Sequence, residues 1–251
     1  MLTQARGVHA ALRALTAGLA VAAIGLQAGC TVRRAETPSS AAPPVVTPAV
    51  APAVAGSIPA GARVYEVDPQ ASQVTLRVYR SGPLARLGHN HVITSADEAG
   101  LAWTTGEPAQ SGFVLRVPVA GLVVDDPAAR AAAGPDFPGE VPADAREGTK
   151  RNMLRPEVLD ADRYPEIVVR ADAFSGTWER PVAEARITLR DQTRSMAVPL
   201  SVELDAAVLV ARGSFQVLQS DFGITPFSVA GGAVQVADPV QVSFEIRATA
   251  R

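Results

Sequence analysis

From Gly61 onward the chain repeatedly alternates apolar and polar residues. In the C-terminal stretch Val240, Val242, Phe244, Ile246 and Ala248 are interleaved with Gln241, Ser243, Glu245 and Arg247. A period of two puts the two sets on opposite faces, so the stretch predicts a strand with one dry face and one wet face. The same phase recurs in Val74, Leu76 and Val78, in Phe113, Leu115, Val117 and Val119, and in Ile167, Val169 and Ala171. It returns in Ala185, Ile187 and Leu189, and in Met196, Val198, Leu200, Val202 and Leu204. Turn signals such as Ser81-Gly82-Pro83, the run from Asp172 to Gly176, and Asp205-Ala206 separate these runs. Many half-buried strands joined this way predict an all-β domain, an antiparallel sheet closed or folded over an apolar interior. A barrel and a sandwich both satisfy the alternation.

The pattern breaks between Asp125 and Arg163. Asp125-Asp126-Pro127 followed by Ala128-Ala129-Arg130-Ala131-Ala132-Ala133 predicts a short helix that Gly134-Pro135 ends. A second helix is expected from about Thr149, as cap, to Leu159, with Pro156 bending or shortening it. One face of the domain therefore carries one or two short helices.

Composition narrows the function. Without the four arginines and Glu36 of the first 60 residues, 19 basic and 24 acidic side chains remain, a formal net charge of −5. A mildly acidic domain with a single lysine, Lys150, and no basic aromatic patch is a poor partner for nucleic acid. Gly148-Thr149-Lys150 lacks the upstream glycine of a phosphate loop. No Gly-x-Ser-x-Gly elbow or dinucleotide fingerprint is present, and no cofactor is implied.

The first 29 residues read as a secretory signal: Arg6 and Arg13, an apolar run from Ala14 to Leu26, then small residues. The run falls short of the about 20 apolar residues a membrane span needs. Leu26-Gln27-Ala28-Gly29-Cys30 resembles a bacterial lipoprotein signal, with Gln27 standing where that pattern usually has Leu. Cys30, the only cysteine, is the expected lipidation site, which would anchor the chain to a membrane surface without spanning it. Residues 30 to 60, rich in Pro and Ala, read as a tether, and residues 61 to 251 as one β domain. An exported protein, lipid-anchored at the cell envelope and facing the periplasm, is expected.

Both histidines beyond the signal, His89 and His91, sit in the run Arg86-Leu87-Gly88-His89-Asn90-His91-Val92-Ile93. On a strand His89, His91 and Ile93 would share one face. Two imidazoles facing one way suit a polar ligand head such as a quinone carbonyl, or a metal ion. Zinc wants at least a third protein ligand, which a carboxylate such as Asp97, Glu98 or Asp221 would have to supply. Hydrogen-bonded structural imidazoles at a barrel mouth are the bland alternative. Phe222-Gly223-Ile224-Thr225-Pro226-Phe227 reads either as an aromatic rim on the opening or as a turn with an aromatic plug.

The chain resembles the YceI-like family. The resemblance is carried by Tyr65-Glu66-Val67-Asp68-Pro69 with the strand from Ser72 to Leu76, by Asn152-Met153-Leu154, and by Leu159-Asp160-Ala161-Asp162-Arg163-Tyr164-Pro165-Glu166-Ile167. It continues in the run from Ile187 to Arg194, in Gln219-Ser220-Asp221-Phe222-Gly223-Ile224, and in Val236-Ala237-Asp238-Pro239-Val240. It implies a lipocalin-like antiparallel barrel of about eight strands that binds polyisoprenoid chains, quinones among them. The common family pattern has one isolated His near a Gly and an aromatic, whereas this chain reads Gly88-His89-Asn90-His91. A barrel of about eight strands either holds one small ligand or is filled by side chains.

The expected function is thus non-enzymatic binding of a long apolar isoprenoid-type lipid or quinone. Its ligand-binding residues are expected to be His89, His91, Phe113, Leu115, Val117, Val198, Leu200, Phe222, Phe227 and Phe244. The alternatives are a metal-binding protein or metal-dependent enzyme using His89 and His91, and an adaptor whose barrel is only a scaffold.

Overall fold

The computed structural model describes residues 58–95 and 97–251. The expected signal sequence, Cys30 and all but the last three residues of the expected tether lie outside them. The described strands are, in chain order, β1 (Arg63–Val67), β2 (Gln73–Ser81), β3 (His91–Thr94), β4 (Ala99–Thr104), β5 (Gly112–Pro118) and β6 (Val123–Val124). Helices α1 (Pro127–Ala132) and α2 (Ala143–Leu154) follow. Then come β7 (Glu166–Ala171), β8 (Phe174–Thr177), β9 (Arg180–Leu189), β10 (Gln192–Leu204), β11 (Val208–Leu218), β12 (Ser228–Val229) and β13 (Val234–Ala250).

A ring of antiparallel neighbours runs β1-β4-β5-β7-β9-β10-β11-β13 and returns to β1 through Tyr65 opposite Ala250 and Val67 opposite Ala248. This is a closed barrel of eight strands with two short helices, which settles the choice between barrel and sandwich. Closure rests on β13, 17 residues long. One of its edges pairs with β11 from Leu218 opposite Pro239 to Val208 opposite Thr249. Its other edge takes β1 at the C-terminal end and β2 along the rest. Beyond β2 the sheet continues as a flap, β2-β3-β6.

Pro239 and a register shift between Val236 and Val240 interrupt the β2 ladder. Proline has no N–H to give and is tolerated at such irregularities. The irregular stretch finds other partners: Gln219 Nε2 donates to the Ala237 carbonyl at 2.8 Å, and Ser220 N–H donates to the Asp238 side chain at Oδ1 at 2.8 Å. The irregularity thereby fastens the turn after β11 to the barrel end.

Both helices follow from local chemistry. In α1 the Asp126 carboxylate accepts from the Ala128 and Ala129 N–H groups at 3.0 Å, and Pro127 occupies the first turn, so the expected helix forms where it is expected. The second helix corrects the sequence reading: α2 starts at Ala143, not near Thr149, which lies in its interior. Ala143-Asp144-Ala145-Arg146-Glu147 are helix formers with an acid in the first turn, and they extend the helix backward. It stops at Leu154 because Arg155, preceding Pro156, is held extended.

The segment from Asp125 to Pro142 lies over β3, burying Phe137 and Val141, with Phe137 5.5 Å from the Tyr79 ring. It buries Val92, on the outward face of β3, completely. β3 therefore departs from the dry-and-wet rule, since Ile93 on its other face is buried too. Leu204, placed by alternation on the inward face, emerges at the strand end 37% exposed.

Two glycines test the packing in opposite directions. A Cβ on Gly100 would run into the Val114 carbonyl oxygen and lie 3.1 Å from Leu115 Cα, both immobile β5 backbone. Gly100→Ala should lower the denaturation midpoint by an amount equivalent to about 1–3 kcal/mol. Gly148, inside α2, would meet only the Arg151 guanidinium at 3.7 Å, so Gly148→Ala should stabilise by up to about 1 kcal/mol. Urea titrations of the two variants check both signs.

Candidate functional site

The barrel is hollow. Its inward-facing aliphatic residues are only partly covered by protein along β2, β11 and β13, as at Val74, Leu76, Val78, Leu209, Phe244 and Ile246. They surround a cavity of about 430 Å³. All ten residues expected from the sequence line it: His89, His91, Phe113, Leu115, Val117, Val198, Leu200, Phe222, Phe227 and Phe244. Small side chains make the space. Ala183, Ala185 and Ala211 line the wall where larger residues would fill it. Gly213 lets the Phe244 ring lie flat on the strand, since a Cβ there would come within 2.7 Å of Phe244 Cζ.

The two ends of the cavity differ. At the end formed by β8 and the starts of β5 and β9 stand Phe113, Phe174 and Trp178, with centroids 6.1 and 5.9 Å apart in sequence along the cluster. Trp178 Nε1 donates outward to Gly106 O at 2.7 Å, leaving the ring face to the cavity. The other end is formed by the ends of β2 and β11 and the start of β13. There the lining includes Arg80, His89, His91, Asn152, Gln219 and Gln235.

At that polar end, His91 opens β3, while His89 and Asn90 precede the strand. The expected shared strand face is therefore realised only from His91 onward. His89 still reaches the cavity, its ring 6.4 Å from that of His91 and steeply inclined. Asn90 pins the loop: its Oδ1 accepts from Arg80 N–H at 3.1 Å, and its Nδ2 donates to Asp136 O at 2.8 Å.

The decisive partner of His91 is Asp125, which the sequence reading used only to start a helix. His91 Nδ1 lies 2.6 Å from Asp125 Oδ2. Asp125 Oδ1 accepts from Val92 N–H at 2.9 Å and from Arg130 Nη1 at 2.7 Å. The Asp125 side chain is wholly buried, that of Arg130 is 3% exposed, and that of His91 is 17% exposed. Every guanidinium nitrogen of Arg130 has a partner: it also donates to Asn90 O at 2.7 Å, Gly139 O at 2.8 Å and Pro138 O at 3.3 Å. Burial pushes the Asp125 carboxyl up, but the His91 and Val92 hydrogen bonds and the charges of His91 and Arg130 more than offset it, and its pKa lies below the ordinary carboxylate value. A carboxylate can only accept, so His91 Nδ1 carries the proton. Nε2 is the ring's other nitrogen, on a residue that lines the cavity; it accepts in the neutral ring and donates in the imidazolium.

The carboxylates expected to complete a metal site do not do so. No group of three or more His, Cys, Asp or Glu able to hold a metal gathers among the described residues. Glu98 is buried elsewhere, accepting from Val74 N–H at 3.1 Å and from Ser95. The stretch from Phe222 to Phe227 is a plug rather than an exposed rim. Phe222 and Ile224, each 3% exposed, pack with Val158 and Ile187. Gly223, at φ 68°, turns the chain inward there. Signals for Asp125 and Arg130 were present as Asp125-Asp126-Pro127 and an arginine on an alanine helix, but nothing local joins them to His91 34 residues away.

The YceI-like domain model matches residues 65–248. Two solved structures resemble the chain across the barrel. One is BcnA of Burkholderia cenocepacia, 16% identical at a TM-score of 0.53, covering 73% of this chain and 99% of that one. The other is a polyisoprenoid binding domain from Saccharophagus degradans implicated in plant cell wall breakdown, 14% identical at 0.50, covering 74% and 98%. At such identities the likeness concerns the fold. No curated protein matches.

Because its folded pKa is lowered, Asp125 adds stability above the unfolded carboxyl pKa of about 3.9. That contribution is lost as pH falls through the lower folded value. Asp125→Asn should therefore flatten the loss of stability below about pH 4. Asp125→Ala, which leaves Arg130 buried without a counter-charge, should cost about 3–5 kcal/mol near neutrality. Thermal unfolding from pH 3 to 7 measures both.

Proposed function

Because the chain belongs to the YceI-like family, we propose that it binds a long apolar isoprenoid-type lipid or quinone inside the barrel and does no covalent chemistry on it. One observation carries this reading: a largely apolar cavity lined from Phe174 and Trp178 at one end of the barrel to His89 and His91 at the other, with its charged, imidazole and amide side chains at the second end. Its volume falls within the roughly 300–1,000 Å³ usual for small-molecule sites. The tail would lie along the aliphatic wall toward Phe113, Phe174 and Trp178, with the head beside His89 and His91. A structural relative is itself described as a polyisoprenoid binding domain, which supports the ligand class.

His91 adds selectivity. With Nδ1–H given to Asp125, Nε2 is the ring nitrogen left for a ligand head, and whenever the ring is neutral it accepts from a hydroxyl such as that of a prenol or a hydroquinone. A quinone carbonyl would instead take a hydrogen bond from Arg80 or Gln235 at the same end. Export by residues 1 to 29, acylation at Cys30 and a tether to about residue 60 complete the reading: a barrel held at the cell envelope, facing the periplasm.

Native extraction tests it first. Protein purified from cells without detergent exchange should release a stoichiometric isoprenoid on mass spectrometry, and an empty barrel across preparations would count against the proposal. For added prenols, affinity should rise about tenfold per five-carbon unit, from roughly 0.3 kcal/mol per non-hydrogen atom. It should level off once the tail fills the cavity. Ala211→Phe, which occupies the cavity wall, should keep the fold and abolish the response to tail length.

A further inference from the structure

A long apolar ligand enters this barrel most easily from another apolar phase, so the lipid-binding reading, on which this inference rests, raises the question of where the cavity meets a membrane. Two loops frame its polar end. One is residues 82–88, leaving β2; the other is the turn at residues 230–233 between β12 and β13. Leu84 N–H donates to Ala233 O at 2.8 Å. A Cβ on Gly82 would lie 2.8 Å from that same oxygen, and one on Gly88 would lie 3.1 Å from Val234 Cγ1. The loops are one rim.

That rim carries Leu84, Leu87 and Val229, at 37, 66 and 48% exposure. They are three of the five exposed large hydrophobic residues among the described residues, the others being Val123 and Leu204. Singly exposed apolar residues are ordinary, but a group around a cavity mouth marks an interaction surface. Val229 belongs to both surfaces, since it also lines the cavity. Val229 thus joins the rim to the cavity lining.

The charge pattern indicates the partner. Residues 80–90 contain Arg80 and Arg86 and no acid, and residues 226–237 contain no acid either, in a domain with a net charge of −5. Arg86 is exposed, and Arg80, also exposed, spends one guanidinium nitrogen on Gly88 O. Guanidinium groups beside exposed leucines suit lipid phosphates above acyl chains.

We infer that this rim is a docking surface for an anionic phospholipid bilayer. Leu84, Leu87 and Val229 enter the interface, Arg80 and Arg86 meet phosphates, and the cavity opens into lipid. Ligand then passes between bilayer and barrel beside His89 and His91.

A tryptophan added to the full chain tests the surface directly, with the parent, which carries Trp103 and Trp178, as the fluorescence baseline. With vesicles of equal parts phosphatidylcholine and phosphatidylglycerol bearing brominated acyl chains, Leu87→Trp should gain fluorescence that the bromines quench. Leu204→Trp, at the opposite end of the barrel, should not be quenched. Equal behaviour of the two variants overturns the inference, whether or not the barrel carries lipid. Transfer separates the two readings. A Leu84→Glu, Leu87→Glu double variant should bind detergent-solubilised prenol as the parent does, yet extract it from the same vesicles roughly tenfold more slowly, because buried apolar area sets interfacial affinity. Extraction at the parent rate overturns the docking surface. Failure of the parent to bind prenol in detergent overturns the lipid-binding reading instead.

Discussion

The structure depends on the pairing of both edges of β13. A sheet edge is a row of unmet N–H and C=O groups, and a barrel removes it only when some strand closes on another. β13 does this by spending one edge on β11 and dividing the other between β1 and β2. Once the backbone ladder holds the ring, side chains need not fill it. Alanines on the wall and Gly213 under Phe244 can therefore leave space.

Splitting one edge between two strands has a second effect. β2 is free to continue outward into β3 and β6. This flap brings the histidine run to one end of the cavity and gives the segment from Asp125 to Pro142 a surface to cover. The buried Asp125 is where cover and flap are joined. It ties His91 and the β3 backbone to Arg130, and Arg130 to the carbonyls of Asn90, Pro138 and Gly139. A buried network of this kind is rigid, and it fixes the orientation of the His91 ring beside the ligand space.

Much of the barrel was legible because alternation is local. The inward sets on β2, β5, β7, β9, β10 and β13 were assigned from period-two patterns, and each lines the cavity or its core. β4 was not, because Gly100, Leu101, Trp103 and Thr104 are buried on both of its faces, and alternation fails where both faces are dry. On β3 the face shared by His91 and Ile93 was assigned, but not the burial of Val92 behind it. The start of α2 was missed for a different reason. Thr149 looks like a cap, yet the helix formers before it cost nothing to include, and tertiary contact at the barrel end favours the longer helix.

The sequence by itself determined the all-β character, the inward residues of most strands, the first helix and the concentration of histidines, since each follows from side-chain period or from a capping residue next in the chain. Only the tertiary structure decided that the barrel is closed and hollow, that His91 answers to Asp125, and that Leu84, Leu87 and Val229 share one rim. Ring closure pairs β1 with β13 across 185 residues at Tyr65 and Ala250. Hollowness is a balance of volumes across all eight strands. Neither quantity is written in any window of the chain, because each arises from groups that meet only after the sheet has closed.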